Sequence, residues 1–484
     1  MSDLKSYRRW FWQTLLLVIL GAVYGVTVHQ DAGMTGDSAK FQFVGYVLGT
    51  PHPTGYPTYL TINHFFTTLF PFGSVAFRAN LLSALFSLVM VQVLFQLLTL
   101  LEISPLVAFA TCLTFGFTRT LWSQSIVAEV YSLNALFVST VLYFFLRWEK
   151  TGKNVFLLLG CAVYAISFGH HLTMVTLLPA ITMLVVVKDR SRFVDMKTVL
   201  PVLFFIAIGA LQYAYVFWRT ADPTTPYLEM RAPDFPSFWY EVTGAKFRSL
   251  MFHFTATEVV QDRIPMFLKL LLREYSFLIP VGLLGIFKLE GKIRNAFLLL
   301  CLLGSVTFAI NYGIQDVDVY FIPAYLIFAI YSATGLEYLV KRVSWWPSAL
   351  TLLIPVVFLV IGAMGVKDKP WHKEELGEVR SMLNVTDHDA LVIPSGYREA
   401  QYCWYYLLVE RYQEKNIFVT AHDIRPEAVR QYLLERRPYF SRYLQKAVPD
   451  GLAVYCMGKR EAEDLSNAGL HLRMVGPQLY RVTE

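Results

Sequence analysis

A chain of 484 residues that is 55% hydrophobic and only 16% charged, with a mean hydropathy of +0.45, is too apolar for a soluble protein; soluble domains carry about a quarter of their residues as charges. Its net charge of +6 comes from basic residues scattered through short loops. That pattern lacks the continuous basic face of a nucleic-acid binder. Aromatics at 15% suit belts of Trp and Tyr at membrane interfaces.

Crossing the hydrocarbon takes roughly 20 apolar residues. In chain order the windows that qualify are 12–28, 77–101, 105–121, 129–146, 154–168, 172–187, 199–217, 264–287, 296–312, 319–336 and 345–366, about eleven in all. The window 105–121 is short. The window at 264 opens with Lys269, Arg273 and Glu274, which predicts that its first turns lie along the surface. The first window reads as a span rather than a cleaved leader, because its apolar run is long and no small-residue cleavage site follows.

Short basic loops orient such a chain, with Lys and Arg on the cytoplasmic side. Lys5, Arg8 and Arg9 precede the first span, and further clusters stand at Arg147–Lys153, Lys188–Lys197, Lys288–Arg294 and Lys341–Arg342. With about eleven crossings all five fall on one side. The N-terminus is then cytoplasmic, and loops 29–77 and 219–263 lie outside with the tail 367–484. The tail alternates strand-like runs at 390–394, 417–420 and 452–456 with amphipathic stretches at 397–412 and 425–435. A small extracytoplasmic α/β domain follows from that alternation. Residues 1–366 make the transmembrane domain. Among five cysteines, Cys112, Cys161 and Cys301 lie in spans; Cys403 and Cys456 share the outer domain and could pair, although each sits in a run that reads as core.

Polar side chains near a bilayer are costly and call for an explanation. They gather at the outer ends: Asp37 and His52 in the first loop, Glu129, Tyr131 and Asn134 at the start of one span, His170 and His171 in a tight turn, and Asp316, Asp318 and Tyr320 in another. Inner ends carry chiefly Lys and Arg. Taken alone, Asp37 after Thr35-Gly36 reads first as a helix N-cap. His52 between two prolines reads as a stiff turn. The one-sidedness of the whole set points to a site on the outer face.

Several of these residues stand in strings with a wider resemblance. Asp37-Ser38, Leu48-Gly49, His52-Pro53 and Gly55-Tyr56-Pro57 are followed by Arg78-Ala79-Asn80-Leu81 and Ala128-Glu129-Val130-Tyr131-Ser132-Leu133-Asn134. Gly169-His170-His171-Leu172-Thr173, Phe238-Trp239-Tyr240 and Asn311-Tyr312 with Asp316 and Tyr320-Phe321-Ile322-Pro323 continue the series. In that order they resemble the protein O-mannosyltransferase-like family of GT-C membrane glycosyltransferases, which has an ER-resident animal branch and many bacterial members. The likeness runs to about Pro323 and more faintly through Tyr402 to Tyr406. Two positions depart from the family pattern: Lys40 replaces an acidic residue, and Asp318 replaces Glu.

The resemblance implies a GT-C fold, a polyprenyl-phosphate sugar donor, and transfer to a protein, glycolipid or polysaccharide acceptor on the extracytoplasmic face, normally with inversion. It makes Asp37 the general base. His52, Tyr56, Glu129, Tyr131, Asn134, His171, Asp316 and Tyr320 become substrate-binding candidates. Arg219, Lys246, Arg248 and His253 become candidates for holding the leaving phosphate, with headgroup anchoring as the rival role for Lys246 and Arg248. Lys40 is a further candidate phosphate contact. No cofactor is implied, and transfer without a metal is preferred over a divalent ion held by Glu129, Asp316 and Asp318. A bacterial plasma membrane is the expected location. Two other readings remain open: a lipid or small-molecule transporter or flippase, which should show repeated halves and midplane charges, and a non-catalytic scaffold whose outer domain binds a partner.

Overall fold

The structure, a computed structural model, describes residues 2–33, 37–342, 348–367, 375–410, 416–420, 425–434, 439–441 and 446–483. Thr35-Gly36, the start of the window at 345, the start of the tail at 368–374 and the ends of the stretches at 397–412 and 425–435 lie outside the described residues.

A helix stands at every one of the predicted windows. Among the described residues eight helical stretches are long and apolar enough to cross a membrane, from Arg9–Thr27 and Val75–Leu100 to Val317–Arg342 and Ala349–Lys367. Pro105–Gly116 and Asn154–Ser167 are shorter apolar helices. Tyr131–Thr151 has the length, at 21 residues, but is diluted by Asn134, Ser139 and Thr140. These polar residues lie on a helix that packs against its neighbours rather than against lipid; Asn134 and Ser139 are buried.

Glycines set the closest helix approach. A Cβ at Gly285 would stand 1.8 Å from the Tyr331 carbonyl oxygen, and one at Gly335 would stand 2.0 Å from that of Val281. Only hydrogen fits there, so Ile279–Lys288 and Ile322–Arg342 lie backbone to backbone. Such small-residue contacts drive association where lipid removes the hydrophobic incentive.

The stretch from Ala256 meets one expectation in part: the first turns of its helix bury no residue and leave Lys269 exposed, but its last turn differs. Its helix Ile264–Tyr275 breaks at Ser276, whose φ is +46°, before Ile279–Lys288 continues. Arg273 and Glu274 do not lie along the surface. Glu274 is buried and accepts from the Thr120 amide (3.0 Å) and hydroxyl (2.7 Å), while Arg273 pairs with it at 2.9 Å and with Asp318 at 3.2 Å. A buried carboxylate needs such partners, and the first turn of Arg119–Ser125 has amides to offer.

Three of the basic clusters meet at one end of the bundle. There Lys150 reaches the Leu100 carbonyl and Glu102, each at 2.8 Å, Arg294 meets Glu149 at 2.9 Å, and Glu337 accepts from Lys341 and from the Ser104 hydroxyl. Loop 29–74, the turns before Tyr131 and Leu172, and residues 222–255 and 311–316 gather at the other end.

On that second end sits a sheet of five strands, β1 (Asp389–Ile393), β2 (Asn416–Val419), β5 (Ala453–Met457), β6 (His471–Gly476) and β7 (Leu479–Thr483), in the order β2-β1-β5-β7-β6. The strands β3 (Tyr439–Ser441) and β4 (Lys446–Val448) form a separate pair. β1 runs parallel to β2 and β5, while β7 is antiparallel to β5 and β6. Between β1 and β2 the helix Tyr397–Tyr405 lies against the bundle, its residues from Tyr402 to Tyr405 buried in one cluster with Phe41, Phe43 and Tyr227. The Tyr405 hydroxyl accepts from the Ala76 amide at 3.2 Å. Cys403 and Cys456 are both buried free thiols, so the disulfide does not form.

Candidate functional site

Loop 29–74 begins the site. Asp37 stands at the N-cap position of the short helix Ser38–Phe43, yet its side chain makes no cap hydrogen bond. It turns instead to Lys40, whose ammonium lies 3.1 Å from Oδ1, and to Tyr397, whose hydroxyl donates to the same oxygen. Oδ2 lies 3.6 Å from Nδ1 of His52. The capping reading therefore fails on geometry.

Lys40 is fully buried and spends its ammonium on three partners: Asp37, Glu229 at 2.8 Å and Nδ1 of His52 at 2.8 Å. An ammonium has three protons to give, so none is left for a phosphate, and that role for Lys40 is withdrawn. Because Nδ1 of His52 accepts, the ring proton sits on Nε2, which donates to the Tyr56 hydroxyl at 3.1 Å. Burial and then Lys40 lower the His52 pKa, against the pull of Asp37 and Glu229, so the ring is neutral.

Glu229 arrives from the second long loop through a backbone clasp. The Thr50 amide donates to the Tyr227 carbonyl at 3.0 Å, and the Glu229 amide donates back to Thr50 at 2.9 Å. Gly49 permits this, since a Cβ there would sit 2.7 Å from the Tyr227 oxygen.

These groups line a cavity of about 470 Å³. Glu129, Tyr131, His171, Lys246, Asp316 and Tyr320 also line it, with Tyr56 and His52. Tyr320 brings the aromatic wall together: its ring lies 5.6 Å from Tyr131, 5.6 Å from His171 and 5.1 Å from Tyr312. His171 is 6% exposed. Its Nδ1 accepts from the Thr173 hydroxyl at 2.7 Å, which leaves the proton on Nε2, and Nε2 has no partner among the described residues. Burial lowers this histidine to about 4, so it offers the cavity a neutral donor.

The carboxyls divide by environment. Burial works to raise the Asp37 pKa, but Lys40, His52 and the Tyr397 hydroxyl outweigh it and hold the group well below the usual carboxylate range. Glu129 goes the other way: burial raises it well above that range, and Asp37 and Asp316 add to the effect. Asp316 is raised too, by burial first and by Asp37 after it. One carboxylate is kept ionised and two neighbours are pushed toward the acid form, the pattern that separates a base from its surroundings.

Four predicted residues are placed elsewhere. Asn134 is buried in its helix and does not reach the lining. Arg219 bonds the Leu48 carbonyl at 2.6 Å and Asp222 at 3.0 Å and lies 4.9 Å from the Trp218 ring, so it braces the loop. Arg248 lies in the turn Ala245–Leu250 outside the lining, and His253 packs on Phe254 with Nδ1 at 3.2 Å from the Leu250 carbonyl. Of the four predicted phosphate contacts, only Lys246 lines the cavity. Asp318 is taken by Arg273. Among the described residues no three His, Cys, Asp or Glu are grouped to hold a metal ion.

Sequence reasoning missed Glu229 and Tyr397. A signal for the first existed: a lysine in a segment that packs into the molecule calls for a carboxylate from another segment.

A second cavity, of about 810 Å³ and almost wholly apolar, lies among the helices Asn154–Ser167, Leu178–Asp189, Met196–Leu211 and Phe235–Val242. Leu172 and Thr243 line both cavities, so the two adjoin.

The chain is similar to known proteins in part of its sequence and in its fold. Residues 37–194 match the family model described as the Protein O-mannosyl-transferase TMEM260 N-terminal domain. The mouse Protein O-mannosyl-transferase TMEM260 is 31% identical over 204 residues, 39% of this chain and 29% of that protein. The Dictyostelium discoideum protein of the same name is 20% identical over 221 residues, 42% of this chain and 27% of that protein. The chain thus spans less than a third of the length of these curated relatives. In fold it is similar to ArnT from Cupriavidus metallidurans, solved bound to undecaprenyl phosphate, with a TM-score of 0.66 at 11% identity over 97% of both chains.

Proposed function

We propose, from the match of residues 37–194 to the O-mannosyl-transferase domain model, that the chain is a GT-C membrane glycosyltransferase with a polyprenyl-phosphate sugar donor and Asp37 as its base. The observation that carries the reading is the ionised Asp37 carboxylate in a polar chamber that opens beside an apolar one. The chamber suits a sugar and its phosphate; the apolar cavity suits the prenyl chain. ArnT, with a similar fold, binds undecaprenyl phosphate, which supports the same class of donor.

In the reaction the acceptor's hydroxyl oxygen attacks the anomeric carbon, and the bond from that carbon to the phosphate oxygen breaks. Attack opposite the leaving group inverts the centre. The acceptor's proton passes to Asp37, whose Oδ2 is the oxygen left without a hydrogen bond among the described residues. The prenyl phosphate leaves as a weak base and needs donors rather than an acid. Lys246 supplies a charge and His171 Nε2 a neutral N–H. The basic loops at the opposite end of the bundle support a site on the extracytoplasmic face.

Sugar release from a polyprenyl-phosphate donor by purified, monodisperse protein tests this. Asp37→Asn keeps the shape but removes the basic carboxylate, so turnover is expected to fall by roughly two to four orders of magnitude with donor binding retained. Near wild-type turnover in that variant would sink the assignment.

A further inference from the structure

The Asp37 carboxylate has a weakness that its neighbours must correct. The torsion about its last bond is a broad, two-fold one, so nothing intrinsic decides which oxygen faces the cavity. Among the described residues, both hydrogen-bond donors to that carboxylate act on Oδ1. One is Lys40, three residues along the same segment, and the other is Tyr397, 360 residues away.

Tyr397 is the first residue of the helix Tyr397–Tyr405 in the sheet domain, and that helix is fastened at both ends. At its far end Tyr405 takes the Ala76 amide; at its near end Tyr397 reaches Asp37. Between them Tyr402, Cys403 and Trp404 are buried against the bundle, and a Cβ at Gly33 would strike the Tyr402 ring at 2.9 Å. The Tyr397 ring also lies 5.2 Å from the Lys40 ammonium, within cation–π range, so the two donors brace each other.

We infer that Tyr397 is a positioning residue for the transfer, contributed by the C-terminal domain: with Lys40 it pins Oδ1 of Asp37 and thereby presents Oδ2 to the acceptor's proton. The inference rests on Asp37 as the base. It gives the sheet domain a part in the chemistry, because the phenol that orients the base belongs to it.

The charges around Asp37 show why a second donor matters. Lys40 and Lys246 are the cations on the cavity wall, and His52 is neutral. Against them stand the carboxyls of Glu129, Glu229 and Asp316, with the phenol of Tyr56 beside them. Lys40 shares its charge with Glu229, so the phenol supplies part of what keeps Asp37 ionised.

The test uses the full chain and measures sugar release against pH and donor concentration for the wild type, Tyr397→Phe, Tyr405→Phe and Asp37→Asn. Losing one hydrogen bond to a charged group should lower kcat for Tyr397→Phe by about tenfold or more. It should leave the donor KM unchanged and move the acid limb of the rate profile up by ~1 pH unit. Tyr405→Phe removes the other fastening and should lower the melting temperature without moving that limb. An unmoved limb in Tyr397→Phe, with Asp37→Asn inactive, overturns this inference alone. Faster turnover in Tyr397→Phe also overturns it, since the phenol would then be competing with the acceptor. Retained turnover in Asp37→Asn overturns the base assignment and this inference with it.

Discussion

Lys150 and Lys40 mark the two ends of the helical bundle, and both make ion pairs of similar length. Lys150 meets Glu102 at 2.8 Å, but Glu102 is 72% exposed and both groups keep their water. Lys40 meets Glu229 at the same 2.8 Å with none of its own side chain exposed. Distance therefore says little about consequence. A solvated pair gains little from attraction and loses side-chain freedom. A buried cation with three partners is a unit whose members cannot leave singly, because each departure strands the rest.

The sharpest way to break that contrast is Lys40→Met. It leaves Asp37 and Glu229 facing each other without a cation and should cost roughly 3 kcal/mol of stability, read as a lower melting temperature in detergent. Adding Glu229→Gln should return part of the loss, so that the double variant falls short of the sum of the singles. Acid behaves consistently with this. The folded pKa of Asp37 is depressed, so its stabilising contribution is complete above about pH 4 and is lost as pH falls through the lower folded value.

Lys246→Ala should have a smaller and more selective effect. If its charge holds the donor phosphate, apparent donor affinity should weaken by an amount equivalent to about 1.5–3 kcal/mol while acceptor dependence stays put. Unchanged donor kinetics would return Lys246 to anchoring at the interface. Smallest of all is Lys150→Ala. Turnover should be unaffected and stability should change by less than about 1 kcal/mol; a larger loss would mean that the two ends are not as different as their exposure implies.

Much of the fold can be read from the chain because a bilayer enforces it locally. Each predicted window holds a helix, and the parallel strands β1, β2 and β5 fall where short apolar runs stood. The hairpin of β6 and β7 was not foreseen. β6 is an edge strand with no buried side chain, so it lacks the alternation that marks a half-buried one. In the site, Asp37, His52, Tyr56, Glu129, Tyr131, His171, Lys246, Asp316 and Tyr320 share the cavity wall. All nine stand at segment ends or in loops, where polarity is conspicuous against apolar neighbours. Arg219, Arg248 and His253 looked equivalent to Lys246 because charge and loop were the same. For Arg219 and His253 a carbonyl or ring beside them already uses the group, while Arg248 lies outside the lining, and the linear pattern carries no trace of either. Glu229 and Tyr397 escaped for the same reason, since each acts on a partner far along the chain.

The distance from Asp37 to Tyr397 has a bearing on biosynthesis. A ribosome adding about 5–20 residues per second needs roughly 20–70 s to pass from one to the other. For the first part of that interval Lys40 lacks Glu229, and for all of it Asp37 lacks the phenol. The nascent bundle can therefore thread most of its helices while its chemistry stays unfinished. If Tyr397 positions Asp37 as inferred, the site is complete only when the final domain docks, and a chain interrupted before that point lacks the phenol on Oδ1.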